Sequence, residues 1–498
     1  MNVRSLHAVC GFLFGPFNPS STPAKRPRFL AFRSSEGFIT LTVCLAIFTD
    51  IFLYGLIVPV IPFSLSVQAG VPENEVQHWT AILLAVYNAA LCVGSPFAGL
   101  YADYTSSRRT PLLLGLLALA GATLLLCLGT SVALLVVGRL LQGLSAAVVW
   151  SVGLALMVDT MGRQVGKSMG FVSIAMSVGL LISPVIGGAV YAAAGYYAVY
   201  YIAFAIICCD IALRLVLIEK KVAQRWLDAL ADGDHSATAT PTGGDSSARE
   251  VADLSARFSA EKPRSPQLEL IRSRTILACL LGVVVQAGLV FACDTVLPLF
   301  VKEAFHWNST AAGLVFICLM VPGFASPLVG ALADRYGAKW PAAAGFAFSI
   351  PLLVCLRFVT QNSLNHKILF CALLVLLGVT ILTLASTPLM AAMTYAIDAE
   401  EARRPGVWGE KGVYGIAYGL WTTSFALGGT IGSLMAGYIN AGPGWGTLTW
   451  SLAVWCFPGV ILAFGLWSRP SKRNMDASPT DGENNSENSQ NAPTSQRA

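Results

Sequence analysis

The sequence predicts an all-α membrane protein with twelve transmembrane helices in two six-helix repeats. Three observations predict this fold class. Of the 498 residues, 55% are hydrophobic and 12% are charged, whereas a soluble domain carries about 25% charged residues. Apolar stretches near the length of about 20 residues that a spanning helix needs recur along the chain. One short motif also occurs twice, at matching places in the two halves.

The predicted spans are the apolar stretches between polar segments. They cover residues 38–62, 77–101, 111–130, 132–157, 168–194, 197–218, 275–301, 309–332, 340–360, 367–394, 412–439 and 445–468. The predicted regions are an N-terminal segment (1–37), an N-terminal six-helix half (38–218), a central loop (219–274), a C-terminal six-helix half (275–468) and a tail (469–498). The central loop is rich in Gly, Ser, Thr and charge, and the tail has a similar composition, so we expect both to be disordered.

Basic residues mark one side of the predicted bundle. Lys and Arg concentrate before the first span and after the even-numbered spans. The positive-inside rule therefore places both termini and the central loop in the cytosol. We expect a monomer in the lipid bilayer of the plasma membrane rather than of a vacuole or vesicle.

Several chemistries are not indicated. The twelve Cys show no disulfide-framework spacing, and most lie inside apolar spans, as packing residues do. The five His are scattered in loops and tails, and no catalytic or metal-ligand cluster emerges. The net charge of +5 is spread over loops and does not indicate nucleic-acid binding. We therefore expect no enzyme activity, no cofactor, no metal and no nucleic-acid partner.

A motif of Gly, three residues, Asp and a basic end follows the second and the eighth spans. Its two copies contain Gly99, Asp103 and Arg108, and Gly330, Asp334 and Arg335. An internal repeat of six-helix units is a transporter architecture, with the solute site between the halves near the midplane. Glycine allows close helix approach, and the Asp and Arg side chains are predicted to form a cytosolic charge latch that breaks when the halves rock.

This motif resembles the loop signature G-x-L-A-D-R-x-G-R-K of the major facilitator superfamily. The second copy fits nearly throughout. The first copy departs at Tyr104, Ser106 and Ser107, so we expect it to form the weaker latch. The resemblance implies the two-half transporter fold of that superfamily.

The fourth span carries Arg139 and Gln142 between two glycines. An Arg at the centre of a membrane costs about 2.5–3.5 kcal/mol on insertion scales, so it must face a partner or water. The pair resembles the family's R-x-x-Q-G element, which is linked to proton coupling. The alternative is an Arg that only ties this span to a neighbour.

The fifth span contains a run of small residues around a proline. It resembles the G-x-x-x-G-P-x-x-G-G motif of the family's antiporters, with Ser183 where Gly is usual. Its members are Gly179, Pro184, Gly187 and Gly188. Small residues at this spacing permit tight helix contact, and proline permits a bend. Close packing alone is the alternative explanation.

Three acidic residues are the candidate substrate and proton sites. Asp50 lies near the middle of the first span, with no basic residue one turn away, and an intramembrane carboxylate indicates function. Aligning the Val-Ile-Pro62 and Val-Leu-Pro298 strings places Asp294 roughly 12 Å further outward than Asp50. Asp294 is therefore expected to serve a different step. The alternative is that Asp294 is only solvated near the outer mouth. Asp398 ends the tenth span. A functional role and simple contact with cytosolic water explain it equally well.

The strings around these carboxylates resemble the vesicular amine transporters and their drug:proton antiporter relatives over nearly all twelve spans. In that family an acidic residue at each matching place takes part in substrate recognition or proton coupling, which implies the same for this chain. The chain departs at Ile51, Tyr87 and Tyr418, where those transporters have Asn, Lys and Asp. Because one basic and one acidic residue are both replaced by Tyr, the net charge of the spans is unchanged. The replacement does not decide whether this chain selects monoamines.

Two further groups of residues have structural interpretations. Asp210 and Arg214 lie one turn apart in the sixth span and are predicted to form an ion pair. Aromatic side chains are also candidates for the walls of a site, although we expect a core or lipid-facing position for each. They are Tyr54, Tyr87, Phe291, Tyr418 and Trp421.

These features together predict a proton-coupled antiporter of the drug exporter branch that moves a small amphipathic or cationic organic solute out of the cytosol. A proton-coupled symporter for nutrient uptake is the alternative with the same fold. A membrane receptor or sensor that does not transport is the alternative of another class, and the repeated loop motif argues against it.

The predicted orientation can be tested at the sequon Asn308-Ser309-Thr310, which follows the seventh span on the predicted outer side. Any N-linked glycan should be on Asn308 and not on Asn484, because glycan is added outside the cytosol. Mass spectrometry of the glycosylated protein checks this. A glycan on Asn484, or cleavage beside Asn308 by a protease confined to the cytosolic side, would reverse the orientation.

Overall fold

The computed structural model describes residues 29–104, 108–161, 165–220, 223–224, 270, 272–403 and 414–465. Nearly all of this part of the chain is helical. In lipid a helix satisfies its backbone hydrogen bonds internally, so long apolar stretches without water become helices. The division at 219–274 stays a prediction, because residues 225–269 lie outside the described part.

Twelve helical runs coincide with the predicted spans. They are α1 (Glu36–Ile57), α2 (Val76–Tyr104), α3 (Arg109–Leu128), α4 (Val132–Met161), α5 (Val165–Ala194), α6 (Tyr196–Val216), α7 (Arg274–Phe305), α8 (Ser309–Tyr336), α9 (Lys339–Leu356), α10 (Leu364–Arg403), α11 (Tyr414–Ala441) and α12 (Trp445–Phe464). Within the described part of the chain, eleven helices are long and apolar enough to cross a membrane. The remaining one, α11, has 28 residues and packs against α2 and α7. The all-α membrane fold is confirmed, and these helices are consistent with twelve spans.

Three of the predicted spans are interrupted. The first predicted span, 38–62, is broken by a turn at residues 58–60, and a second helix, Ile61–Ala69, continues it. Pro59 lies in this turn, and proline lacks the N–H that a continuous helix needs. A 3₁₀ segment, Val321–Ala325, divides α8, and a π-helical segment, Gly378–Ala385, divides α10. Such segments at membrane depth are tolerated where they are buried in protein or line a cavity.

Two seams join the halves: α2 packs against α11, and α5 packs against α8. We call the face with the α2–α3 and α8–α9 connections the inner face, and the opposite face the outer face. Near the outer face, a Cβ on Gly188 would overlap the carbonyl oxygen of Ser309, and a Cβ on Gly437 would overlap Ala81. The Ser309 hydroxyl also donates to the Gly188 carbonyl at 2.9 Å. The outer halves of the helices therefore close tightly between the two repeats.

The antiporter-like motif of α5 packs against one helix of its own half and one helix of the other half. Gly187 faces the Leu56 carbonyl of α1, within the same half, whereas Gly188 faces α8 of the other half. The Pro184 carbonyl lies against Gly313 of α8. This arrangement supports the close-packing interpretation of the motif.

Gly187 provides a stability test. In Gly187→Ala the new methyl group would overlap the Leu56 carbonyl, and such overpacking costs about 1–3 kcal/mol. The apparent Tm of the purified protein should therefore fall. The matched control is Gly121→Ala, since a Cβ there meets nothing within 4 Å. Equal Tm values for the two variants would show that the α1–α5 contact is not tight.

Candidate functional site

A cavity of about 710 Å³ lies between the two halves. Ligand pockets usually measure about 300–1,000 Å³, so it has room for a small organic molecule. On α5 its lining runs from Gly170 to Leu180, in the half of the helix nearer the inner face. Because the outer halves of α5 and α8 are in contact, the cavity opens toward the inner face.

Asp50 lies in the cavity wall and is 1% exposed. Its Oδ2 atom accepts hydrogen bonds from the Tyr87 hydroxyl and the Trp150 indole N–H, each at 3.0 Å. Its Oδ1 atom is buried and has no hydrogen-bond partner. The carboxyl group is thus held by neutral donors.

Asp294 lines the same cavity from α7 and is 5% exposed. Its Oδ2 atom accepts a hydrogen bond from the Tyr54 hydroxyl of α1 at 3.3 Å. The Tyr54 and Tyr87 ring centroids are 4.9 Å apart. The two carboxyl groups of the two halves are therefore linked through a pair of tyrosines.

The rest of the described cavity wall is aromatic, aliphatic or neutral and polar. Among the lining residues that the structure describes there is no Lys, Arg or His. The polar contributors on the walls include Asn88, Gln286, Ser177 and Thr422. The cavity consequently has two carboxyl groups at its closed end and no described cationic side chain in its wall.

All five aromatic candidates line the cavity, and three of them are also buried in the core, as expected. The five are Tyr54, Tyr87, Phe291, Tyr418 and Trp421. Helical spacing could have indicated that Tyr54 lines the site, because Tyr54 follows Asp50 by four residues and shares its helix face. Trp150 was missed entirely, although it follows Arg139 by eleven residues, or about three helical turns.

Arg139 lies behind the cavity wall and is fully buried. Its Nη1 donates to Gln142 Oε1 at 2.9 Å, and its guanidinium carbon is 5.7 Å from the Tyr54 ring centroid. Its Nε and Nη2 atoms have no hydrogen-bond partner. The structure therefore gives Arg139 an amide and aromatic faces as neighbours, and no ion pair of Arg139 is seen among the described residues.

A family model described as the Major Facilitator Superfamily matches residues 43–407 and, in a second match, residues 295–496. The chain belongs to the Major Facilitator Superfamily. An uncharacterised MFS-type transporter of Schizosaccharomyces pombe is 36% identical over 86% of this chain and 96% of its own length. The MFS-type transporter ppzB of Metarhizium rileyi is 33% identical over 83% of this chain and 91% of its own length.

More distant similarities agree with this assignment. The structure of the human organic anion transporter MFSD10 has a TM-score of 0.55 and 16% identity, and it covers 89% of this chain and all of its own. Shorter matches include proteins named for multidrug and tetracycline resistance and vesicular acetylcholine transporters. The relatives are transporters, and the resemblance seen in the sequence motifs is confirmed.

Asp398 of this MFS protein lies apart from the other two carboxylates. It is exposed near the inner end of α10 and is not a lining residue of the cavity. The structure thus brings Asp50 and Asp294 to one cavity and leaves Asp398 outside it.

The repeated loop motif makes contacts within each half. Arg108 forms an ion pair with Asp159 of α4 at 3.3 Å, and Asp334 accepts a hydrogen bond from the Tyr395 hydroxyl of α10. The Arg335 guanidinium lies 5.4 Å from the Tyr336 ring centroid. The side chain of Asp103 lies outside the described residues.

The motif glycines do not make close contacts in this conformation. A Cβ on Gly99 would meet nothing within 4 Å, and one on Gly330 would lie 3.8 Å from Thr387. Together with the intra-half pairs, this fits an open inner face, where an inter-half latch is not required.

Asn308 lies in the connection from α7 and is the N-cap residue of α8. It is exposed, and its Oδ1 atom caps the helix by accepting from the Ala311 N–H at 3.0 Å. Its glycosylation stays a prediction.

Two buried arginines of the N-terminal half, Arg139 and Arg214, allow a matched stability test. Arg214 pairs with Asp210 at 3.1 Å, as predicted from the sequence, whereas Arg139 has no described carboxylate partner. Arg214→Met leaves Asp210 as an uncompensated buried charge, which costs about 3–5 kcal/mol. Arg139→Met removes an unpaired buried charge and leaves the Gln142 amide oxygen without its donor, at about 1–3 kcal/mol.

We therefore expect Arg214→Met to lower the apparent Tm more than Arg139→Met, measured by thermal unfolding of the two purified variants beside the wild type. A larger loss in Arg139→Met would show that Arg139 has a charged partner.

Proposed function

We propose that this MFS transporter is a proton-coupled antiporter that exports a small, amphipathic organic cation from the cytosol. The observation that carries the proposal is the pair Asp50 and Asp294 in a cavity whose described lining has no cationic side chain. We also propose that it works as a monomer in the plasma membrane, with the inner face toward the cytosol.

The chemistry of the cavity favours a cation. A buried carboxylate is costly unless a counter-charge accompanies it. The described lining supplies no cationic side chain, so a solute cation or a proton can provide that charge. Aromatic faces such as those of Tyr54, Phe291 and Trp421 attract organic cations by cation–π interaction, worth about 0.5–2 kcal/mol. On the described lining, an anion would meet carboxylates and neutral groups.

Antiport follows if a proton and the solute compete for the same carboxyl groups. In the state open to the inner face, Asp50 and Asp294 would bind the solute cation. In the outward-open state, protons from the acidic side would displace it, and their release to the cytosol would reset the cycle. Each ligand shifts the equilibrium only through its different affinity for the two states. The relatives named for multidrug and tetracycline resistance support export, and the vesicular acetylcholine transporters support a cationic solute.

The test uses 1-methyl-4-phenylpyridinium, a permanent cation with no proton of its own. Proteoliposomes with an acidic lumen should accumulate it through the wild-type protein, and collapsing the pH gradient should abolish the accumulation. Asp50→Asn should abolish it as well, because the amide mimics a permanently protonated carboxyl of nearly the same volume. Folding should survive, since a costly buried charge has been removed.

Matched variants separate the roles of the carboxylates. Asp50→Glu should retain some activity with a shifted pH optimum, Asp294→Asn should be less severe than Asp50→Asn, and Asp398→Asn, outside the cavity, should be closest to wild type. Normal gradient-driven accumulation by Asp50→Asn would remove Asp50 from the mechanism and favour Asp294 with Arg139. Wild-type binding of biphenyl-4-carboxylate, the anion of similar shape, in preference to the cation would overturn the proposed solute class.

A further inference from the structure

The hydrogen bond from Tyr54 to Asp294 joins the two halves at the closed end of the cavity. Tyr54 belongs to α1 and Asp294 to α7, and both side chains line the cavity. On the outer side of this bond the halves are in contact: Gln77 of α2 approaches the Thr295 carbonyl, and Gly437 of α11 lies against Ala81 of α2. The bond therefore forms the inner edge of the closed outer region.

The Tyr54 ring keeps its place without this hydrogen bond. It contacts the Tyr87 ring at 4.9 Å and the Phe291 ring, edge to face, at 5.5 Å. The guanidinium of Arg139 lies over it at 5.7 Å. Loss of the bond to Asp294 would thus free the carboxylate without displacing the ring, so the bond can re-form.

The bond is also weak enough for a ligand to replace. Its length is 3.3 Å, whereas an O–H donor to a carboxylate usually lies at about 2.5–2.7 Å. A cation in the cavity would compete directly for the Asp294 oxygen, because opposite charges attract more strongly than a neutral hydroxyl in a medium of low dielectric constant.

We propose that the Tyr54–Asp294 hydrogen bond is a latch between the two halves, which the solute cation displaces when it binds Asp294. This inference rests on the proposed cation transport. Displacement removes a contact that holds the outer region closed, so it shifts the population toward the outward-open state. Tyr54 is then a positioning residue that converts occupancy of the cavity into movement of the halves.

Tyr54→Phe tests the latch because it removes the hydroxyl and keeps the ring. Hydrogen–deuterium exchange of the solute-free protein should increase in the outer ends of α5 and α8 and decrease at their inner ends. Because a hydrogen bond of this length makes only an ordinary net contribution, the open-to-closed ratio should rise about two- to ten-fold. Adding 1-methyl-4-phenylpyridinium to the wild type should change exchange in the same direction, and Tyr54→Phe should respond less.

Tyr87→Phe is the matched control. It removes the same atom from a hydrogen bond to Asp50, but α1 and α2 belong to the same half. Exchange in the outer ends of α5 and α8 should stay at the wild-type level in this variant. If Tyr87→Phe opens the outer region as much as Tyr54→Phe, the latch proposal is overturned.

Binding affinity gives a second readout that a structural role alone would not produce. At alkaline pH, 1-methyl-4-phenylpyridinium should bind Tyr54→Phe several-fold more tightly than wild type, because no hydrogen bond has to be broken; isothermal titration calorimetry measures this. Unchanged exchange in Tyr54→Phe, or unchanged or weaker binding, would overturn the latch. Absence of binding of the cation to the wild type would speak against the proposed function instead, while the exchange of the solute-free variants would still decide whether the bond holds the halves.

Discussion

The close approach of α5 to α8 near the outer face is the constraint on which the arrangement of this transporter depends. Glycine at position 188 lets the α8 backbone come near enough for the Ser309 hydroxyl to bond the Gly188 carbonyl. In a membrane, helix association relies on such packing because lipid is as apolar as the side chains. With the outer halves closed in this way, the inner halves diverge and the cavity between them opens toward one face only.

At the closed end of that cavity, the main energetic problem is the burial of two carboxyl groups rather than helix packing. Asp50 and Asp294 are almost completely buried, and their hydrogen-bond donors are hydroxyl and indole groups. Neutral donors lower the cost of burying a carboxylate without cancelling its charge. A lysine in place of Tyr87 would cancel it, whereas the Tyr87 hydroxyl leaves the Asp50 carboxyl group available to a ligand.

The same tyrosines connect the site to the rest of the protein. Tyr54 contacts Arg139, Tyr87 and Asp294, and so it touches two helices of its own half and one helix of the other. Arg139 stabilises the ring from behind the wall rather than pairing with a carboxylate. A change of charge in the cavity therefore acts directly on the Tyr54–Asp294 contact between the halves, which lies next to the tightly packed outer region.

The sequence by itself determined the all-α membrane fold and the place of the repeated motif, and it showed two carboxyl groups inside apolar spans. Apolar length, a short motif and an acidic residue inside an apolar span are all local signals. The sequence also predicted the Asp210–Arg214 pair, whose members share one helix. It did not predict the aromatic cavity wall, the Trp150–Asp50 bond or the contact of Arg108 with Asp159. Those depend on which helix faces meet, and only the tertiary packing of segments distant in sequence decides that.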